Sequence, residues 1–161
     1  MTHANGAPSA RSGMALNVER TIGLDASCTH IPFPFTVDRE SEGMEISFSY
    51  DPKVLMDERR ARDLIEAGMR AYADSLEAGG PDHWRSHAPL TNLLTLSLDS
   101  PTGFRGCAHR QSNRQSITIG RGTATPGFIP GTVEPGLWKA TISVHLVVTE
   151  QCTFRLQIRV P

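Results

Sequence analysis

Apolar and polar residues alternate strictly along Met44-Glu45-Ile46-Ser47-Phe48-Ser49-Tyr50, and almost as strictly along Cys152-Thr153-Phe154-Arg155-Leu156-Gln157-Ile158-Arg159-Val160. A period of two sends one set of side chains to a buried face and the other to solvent, so both segments are expected to be half-buried antiparallel strands. Leu94, Leu96 and Leu98 alternate with Thr95 and Ser97 inside Leu90–Leu98, which makes a third. Gln115–Ile119 reads as a short strand and Leu137–Val148 as a longer one. With Cys152–Val160, the latter is expected to form a terminal hairpin turning near Thr149-Glu150. Ile31–Val37 is apolar and aromatic, but Pro32 and Pro34 remove ladder donors and confine it to an edge strand or a strand start.

From about Glu58 to Ala78 the period changes. Ala61, Leu64, Ile65, Gly68, Tyr72 and Leu76 recur at spacings of three and four, which predicts an amphipathic helix, with Asp57 capping its start and Gly79-Gly80 its end. The preferred place for its apolar stripe is against the sandwich core, as a lid over one mouth; the other is a docking face for a second subunit. Many short strands with one helix and no rhythm of parallel crossovers predict a mainly β protein. It is an antiparallel β-sandwich, jelly-roll-like, at 17–161, with the helical insertion at about 57–80. Residues 1–16 lack a periodic apolar pattern and are expected to be a disordered tail.

Six glycines and three prolines between Gly106 and Gly136 punctuate one connection, supplying the φ > 0 and fixed-φ positions that tight turns require. Sixteen basic residues against 17 acidic ones leave the chain nearly neutral, which argues against a nucleic-acid binder. There is no apolar run long enough for a membrane span and no signal-type opening, so no membrane association is expected. Cys28, Cys107 and Cys152 are odd in number, widely spaced and free of any CxxC pair, so reduced thiols in the cytoplasm are the simplest reading. Cys28 and Cys152 are expected to behave as small buried hydrophobes.

Leu98-Asp99-Ser100-Pro101-Thr102-Gly103-Phe104-Arg105-Gly106, the ATPGFIPG segment Ala124–Gly131, Pro135-Gly136-Leu137-Trp138 and the strand Cys152–Val160 carry a family likeness. They resemble the amino-terminal β-sandwich module of carbaryl-hydrolase-type metallohydrolases that carry a polymerase-and-histidinol-phosphatase (PHP) domain. His30-Ile31-Pro32-Phe33 and Phe48-Ser49-Tyr50-Asp51-Pro52 look like its opening strands. The resemblance spans about Val18 to Val160. It implies the sandwich fold and an accessory partnership with a separately encoded PHP-type hydrolase. In that family metal binding and hydrolysis belong to the PHP domain, whose histidine-rich motifs have no counterpart here, so no catalytic residue and no cofactor carry over.

Between Ser100 and Val133 there is no acidic residue, yet Arg105, Arg110, Arg114 and Arg121 occur there with His109. Arginines without neutralising carboxylates suit bidentate capture of phosphate or carboxylate, so this stretch is the expected anion-favouring patch. Arg105 can alternatively pair with Asp99 or hold loop carbonyls. His145 is expected on the outward face of its strand, and it joins Trp138 as a candidate ligand contact. Cys107 and His109 share a strand face but lack an orienting third group. His83-x3-His87 with Asp82 offers ligand types; Pro81 and Pro89 instead predict a surface loop pinned by Trp84, so no metal is assigned. The leading functional reading is a non-catalytic binding or interaction module for a small anionic or apolar ligand, a PHP-type hydrolase or a second copy of itself. A small enzyme with a lidded cavity lined by His109, Arg105 and His145 is one alternative, and a structural homo-oligomer protomer is the other.

Overall fold

In the computed structural model, which describes residues 13–71 and 83–161, the alternating segments become antiparallel strands of two packed sheets. The strands are β1 (Met14–Ile22), β2 (Thr29–Val37), β3 (Gly43–Asp51), β4 (Leu93–Ser100), β5 (Gly103–Ala108), β6 (Arg114–Gly120), β7 (Gly136–Leu146) and β8 (Cys152–Arg159); one helix, α1 (Glu58–Ala71), lies between β3 and β4. Sheet A runs β1-β8-β3-β6 and sheet B runs β2-β7-β4-β5. The pairings β1–β8, β2–β7, β3–β6 and β4–β5 are those of one long hairpin wound upon itself, which is the jelly-roll order. The expected sandwich with one inserted helix is what the chain builds. Its core is the inward half of each alternation, with Phe48, Tyr50, Leu96, Trp138, Phe154 and Leu156 almost wholly buried.

Four local expectations change. Leu137–Val148 and Cys152–Val160 do not form a hairpin, because β7 lies between β2 and β4 in sheet B whereas β8 lies between β1 and β3 in sheet A. The chain crosses from one sheet to the other through Val147, Val148 and Thr149, all buried. Strand β1 begins at Met14, inside the stretch assigned to the tail; Leu16 and Val18 pack on the core, but exposed Arg20 interrupts their inward series. Strand β5 arises within the turn-rich run, where Gly103 and Gly106 break any alternation. Cys28 is exposed, and only Cys152 of the predicted pair is buried.

The insertion leaves through a narrow stem in which Leu55 N donates to Leu90 O at 3.0 Å and Asn92 N to Lys53 O at 2.9 Å. Asp57 caps α1 as expected, its carboxylate accepting from Arg60 N at 3.0 Å. Tyr72, Leu76 and Gly79-Gly80 lie outside the described residues. Helix α1 lies mainly against the short 3₁₀ turn His83–His87, and buried Ala61, Ile65 and Trp84 stand apart from the sandwich core. Among the described residues, Ala61 and Ile65 of the apolar stripe thus form a satellite cluster with Trp84 instead of the expected lid on the core.

The glycine- and proline-rich run seals sheet edges. Gly127 O accepts from Cys107 N and Ile129 N donates to Arg105 O, covering β5, while Thr125 N donates to Thr118 O and Gly131 N to Gly120 O, covering β6. Gly106 is required at this crossing: its φ is 134°, and a Cβ there would collide with Gly127 O. On the opposite side β2 is an edge strand, as its prolines predict. Covered or donor-poor edges discourage pairing with another chain.

Candidate functional site

The arginines of the acid-free stretch meet different partners from distant parts of the chain. Arg105, nearly buried, donates to Thr132 O at 2.9 Å, approaches Glu134 at 3.7 Å and lies over the Trp138 ring. It holds loop carbonyls, one of its two alternative roles; Asp99 pairs with Lys139 at 3.0 Å. Arg110 donates to Pro126 O at 2.7 Å. Arg121 makes a two-pronged contact with Glu42, at 2.6 and 2.7 Å, and Arg114 reaches Asp51 at 3.3 Å. The stretch therefore does not stand as one uncompensated patch, since Glu42, Asp51 and Glu134 come to it from elsewhere. Trp138 is a core residue, wholly buried, with its indole N–H given to Glu134 O at 2.9 Å. It is closed to a surface ligand.

Arg114 belongs instead to a groove on the outer face of sheet A. Register sets Ser49 of β3 directly between Arg155 of β8 and Arg114 of β6, and Ser47 between Gln157 and Ser116. Small hydroxyl side chains between long flanking ones leave a trough of about 430 Å³ lined by these six residues together with Phe48 and Gln115. The hydroxyls of Ser47, Ser49 and Ser116 have no hydrogen-bond partner among the described residues. Arg155 binds Glu19 through Nε at 2.6 Å, so its two terminal amino groups remain to donate; Arg114 spends one amino group on Asp51. Adjacent strands are about 4.8 Å apart, so two guanidinium groups stand astride a floor of serine. Both ion pairs are solvent-exposed, where such pairs hold their partners weakly.

The outer face of sheet B carries the histidines. His30 of β2, Ser143 of β7 and Thr95 of β4 form one cross-strand row. His30 Nδ1 lies 2.9 Å from Ser143 Oγ, and Thr95 Oγ1 lies 2.8 Å from His145 Nε2. The His109 ring, just beyond β5, is 5.5 Å from that of His145. Burial, then the neighbouring His109 and His30 rings, lowers the His145 pKa, so this imidazole is neutral near pH 7. His145 faces outward as expected and meets His109, whereas Arg105 holds Thr132 and Glu134 four residues before His109. Burial pushes the Cys152 thiol up to about 11, which leaves it inert.

His83 and His87 have ring centres 5.1 Å apart on the 3₁₀ turn, around the buried Trp84; Pro81 and Asp82 lie outside the described residues. No group of three or more His, Cys, Asp or Glu side chains among the described residues is placed to cage a metal ion. No described helix is long and apolar enough to cross a membrane. Neither a protein-family model nor a curated protein matches the chain.

Sequence reasoning found Arg114 but missed Arg155, Gln157 and the serine floor, and it left His30 out of the candidate set. All are outward positions of alternating strands. Their facing was legible; the register that gathers them was not.

Proposed function

We propose that the protein is a non-catalytic binding module whose ligand seat is the sheet A groove, and that it takes a small hydroxylated anion, a phosphate or carboxylate bearing hydroxyl groups. The observation that carries this reading is the row Arg155–Ser49–Arg114: two guanidinium groups with N–H donors to spare on either side of an unpartnered hydroxyl. Guanidinium forks bind the charged end and the serines meet the hydroxyls. The groove offers hydroxyl, amide and guanidinium groups, which are suited to holding such a ligand. The module resemblance supports an accessory role beside a PHP-type metallohydrolase, and the three free cysteines support a cytoplasmic setting.

Titration with glucose 6-phosphate, followed through backbone amide resonances, tests the seat. Saturable shifts on β3, β6 and β8 are expected, with R114A and R155A each weakening binding about tenfold, as loss of one charge-assisted contact does. Absence of saturable shifts up to about 10 mM, an affinity below roughly 3 kcal/mol, overturns it. So does undiminished binding by the double variant.

A further inference from the structure

We propose that His109 and His145, on the outer face of sheet B, form a two-histidine chelate for a borderline-soft divalent cation of the zinc, nickel or copper type. The site is separate from the sheet A groove and does not depend on it.

The geometry has three parts. Two imidazoles bound to one ion at about 2.0–2.1 Å in tetrahedral directions have ring centres roughly 5 Å apart. The His109 and His145 centres are 5.5 Å apart, with their planes inclined by 51°. Second, His145 is oriented from behind: the hydroxyl of Thr95, a residue 4% exposed, holds Nε2 at 2.8 Å and leaves Nδ1 for an ion. A metal-binding imidazole generally has its other ring nitrogen held in this way, by a group that fixes both tautomer and ring plane. Third, the nearest ion pair along the cross-strand rows of this face, Lys139–Asp99, lies two outward positions from the Ser143–Thr95 row, beyond Thr141 and Ser97. Imidazole donors without carboxylates suit zinc, nickel and copper and give magnesium or calcium nothing to prefer. The protein supplies two ligands, and water completes the sphere. His30, tied to Ser143, lies outside the chelate.

Zinc chloride titrated into the H83A/H87A variant tests the proposal free of the other histidine pair, with binding read by calorimetry and by imidazole nitrogen resonances. Saturable binding that perturbs the His109 and His145 rings is expected. Adding H109A or H145A is expected to weaken it at least tenfold, and T95V about tenfold through loss of the orienting hydroxyl. H30A and magnesium chloride serve as controls: the first is expected to bind zinc unchanged, the second to give no response. The proposal is overturned if zinc does not bind, if H109A binds as tightly as the parent, or if H30A abolishes binding. Exposed His109 lies outside the strands, so H109A remains informative should H145A disturb the sheet.

Discussion

Asn92 is wholly buried at the point where the insertion rejoins the sandwich, and its amide is fully used. Nδ2 donates to Pro52 O at 2.8 Å and to Thr149 Oγ1 at 2.7 Å, while Oδ1 accepts from Val148 N at 2.7 Å and from Thr149 N at 3.4 Å. One side chain thus fastens the stem leaving β3, its own entry to β4 and the crossover from β7 to β8. The backbone O of Asn92 also receives Lys53 Nζ at 2.8 Å, so the knot is closed on both sides. Asn92→Ala strands several buried backbone groups, each worth roughly 1–3 kcal/mol when left unpaired. Its expected loss is about 2–4 kcal/mol in urea unfolding. Asn17→Ala, which removes an exposed Asn17–Gln157 contact, is expected to change stability by less than about 0.5 kcal/mol. Equal effects from the two would show that the knot is not what joins these segments.

The elements differ in how firmly they belong to the whole. Trp84 is buried with the guanidinium of Arg85 4.6 Å from its ring centre, and it shares a cleft with Ala61 of α1. Because this cluster is separate from the sandwich core, Trp84→Ala is expected to raise amide exchange along α1 by at least tenfold and leave exchange in β3, β7 and β8 unchanged. Uniform loss of protection would show the two clusters to be one. The same division explains what the chain's pattern reveals. Strands β3 and β8 are legible because their alternation is uninterrupted, and β2 as an edge because Pro32 and Pro34 say so. Strand β1 is hidden by Arg20, whose charge stands at an inward position tolerated only at an edge. Alternation assigns each residue to a face and leaves its partner strand open, so β7 and β8 look like a hairpin until the jelly-roll winding separates them. The groove was hidden for the same reason: Arg114 and Arg155 are 41 positions apart, and only the register of β3 between them makes a pair.

For the whole molecule, the joint between the sheets should make its acid stability depend on Glu134. This residue stands in the segment from β6 of sheet A to β7 of sheet B, where its carboxylate receives the Thr102 hydroxyl at 2.6 Å and its carbonyl receives the Trp138 indole. The Thr102 bond, helped by Ser100 and Arg105 and opposed by burial, holds the Glu134 carboxyl below its ordinary value of 4.5. A carboxyl depressed in the folded state binds fewer protons there than in the unfolded chain. It contributes stability above 4.5, and that contribution is lost as pH falls through the depressed value. Thr102→Val removes the largest cause, so at pH 7 it is expected to cost about 1 kcal/mol, the net worth of such a bond. The wild-type and variant urea midpoints should then draw together as pH falls from 4.5 through the depressed value. Added salt separates this effect from the exposed Arg121–Glu42 and Arg155–Glu19 pairs, whose contribution is screened, whereas a short hydroxyl–carboxylate bond at the joint is not. A constant gap between wild type and Thr102→Val from pH 7 to 3 would mean that the hydroxyl acts through packing, and that the joint carries no proton-linked stability.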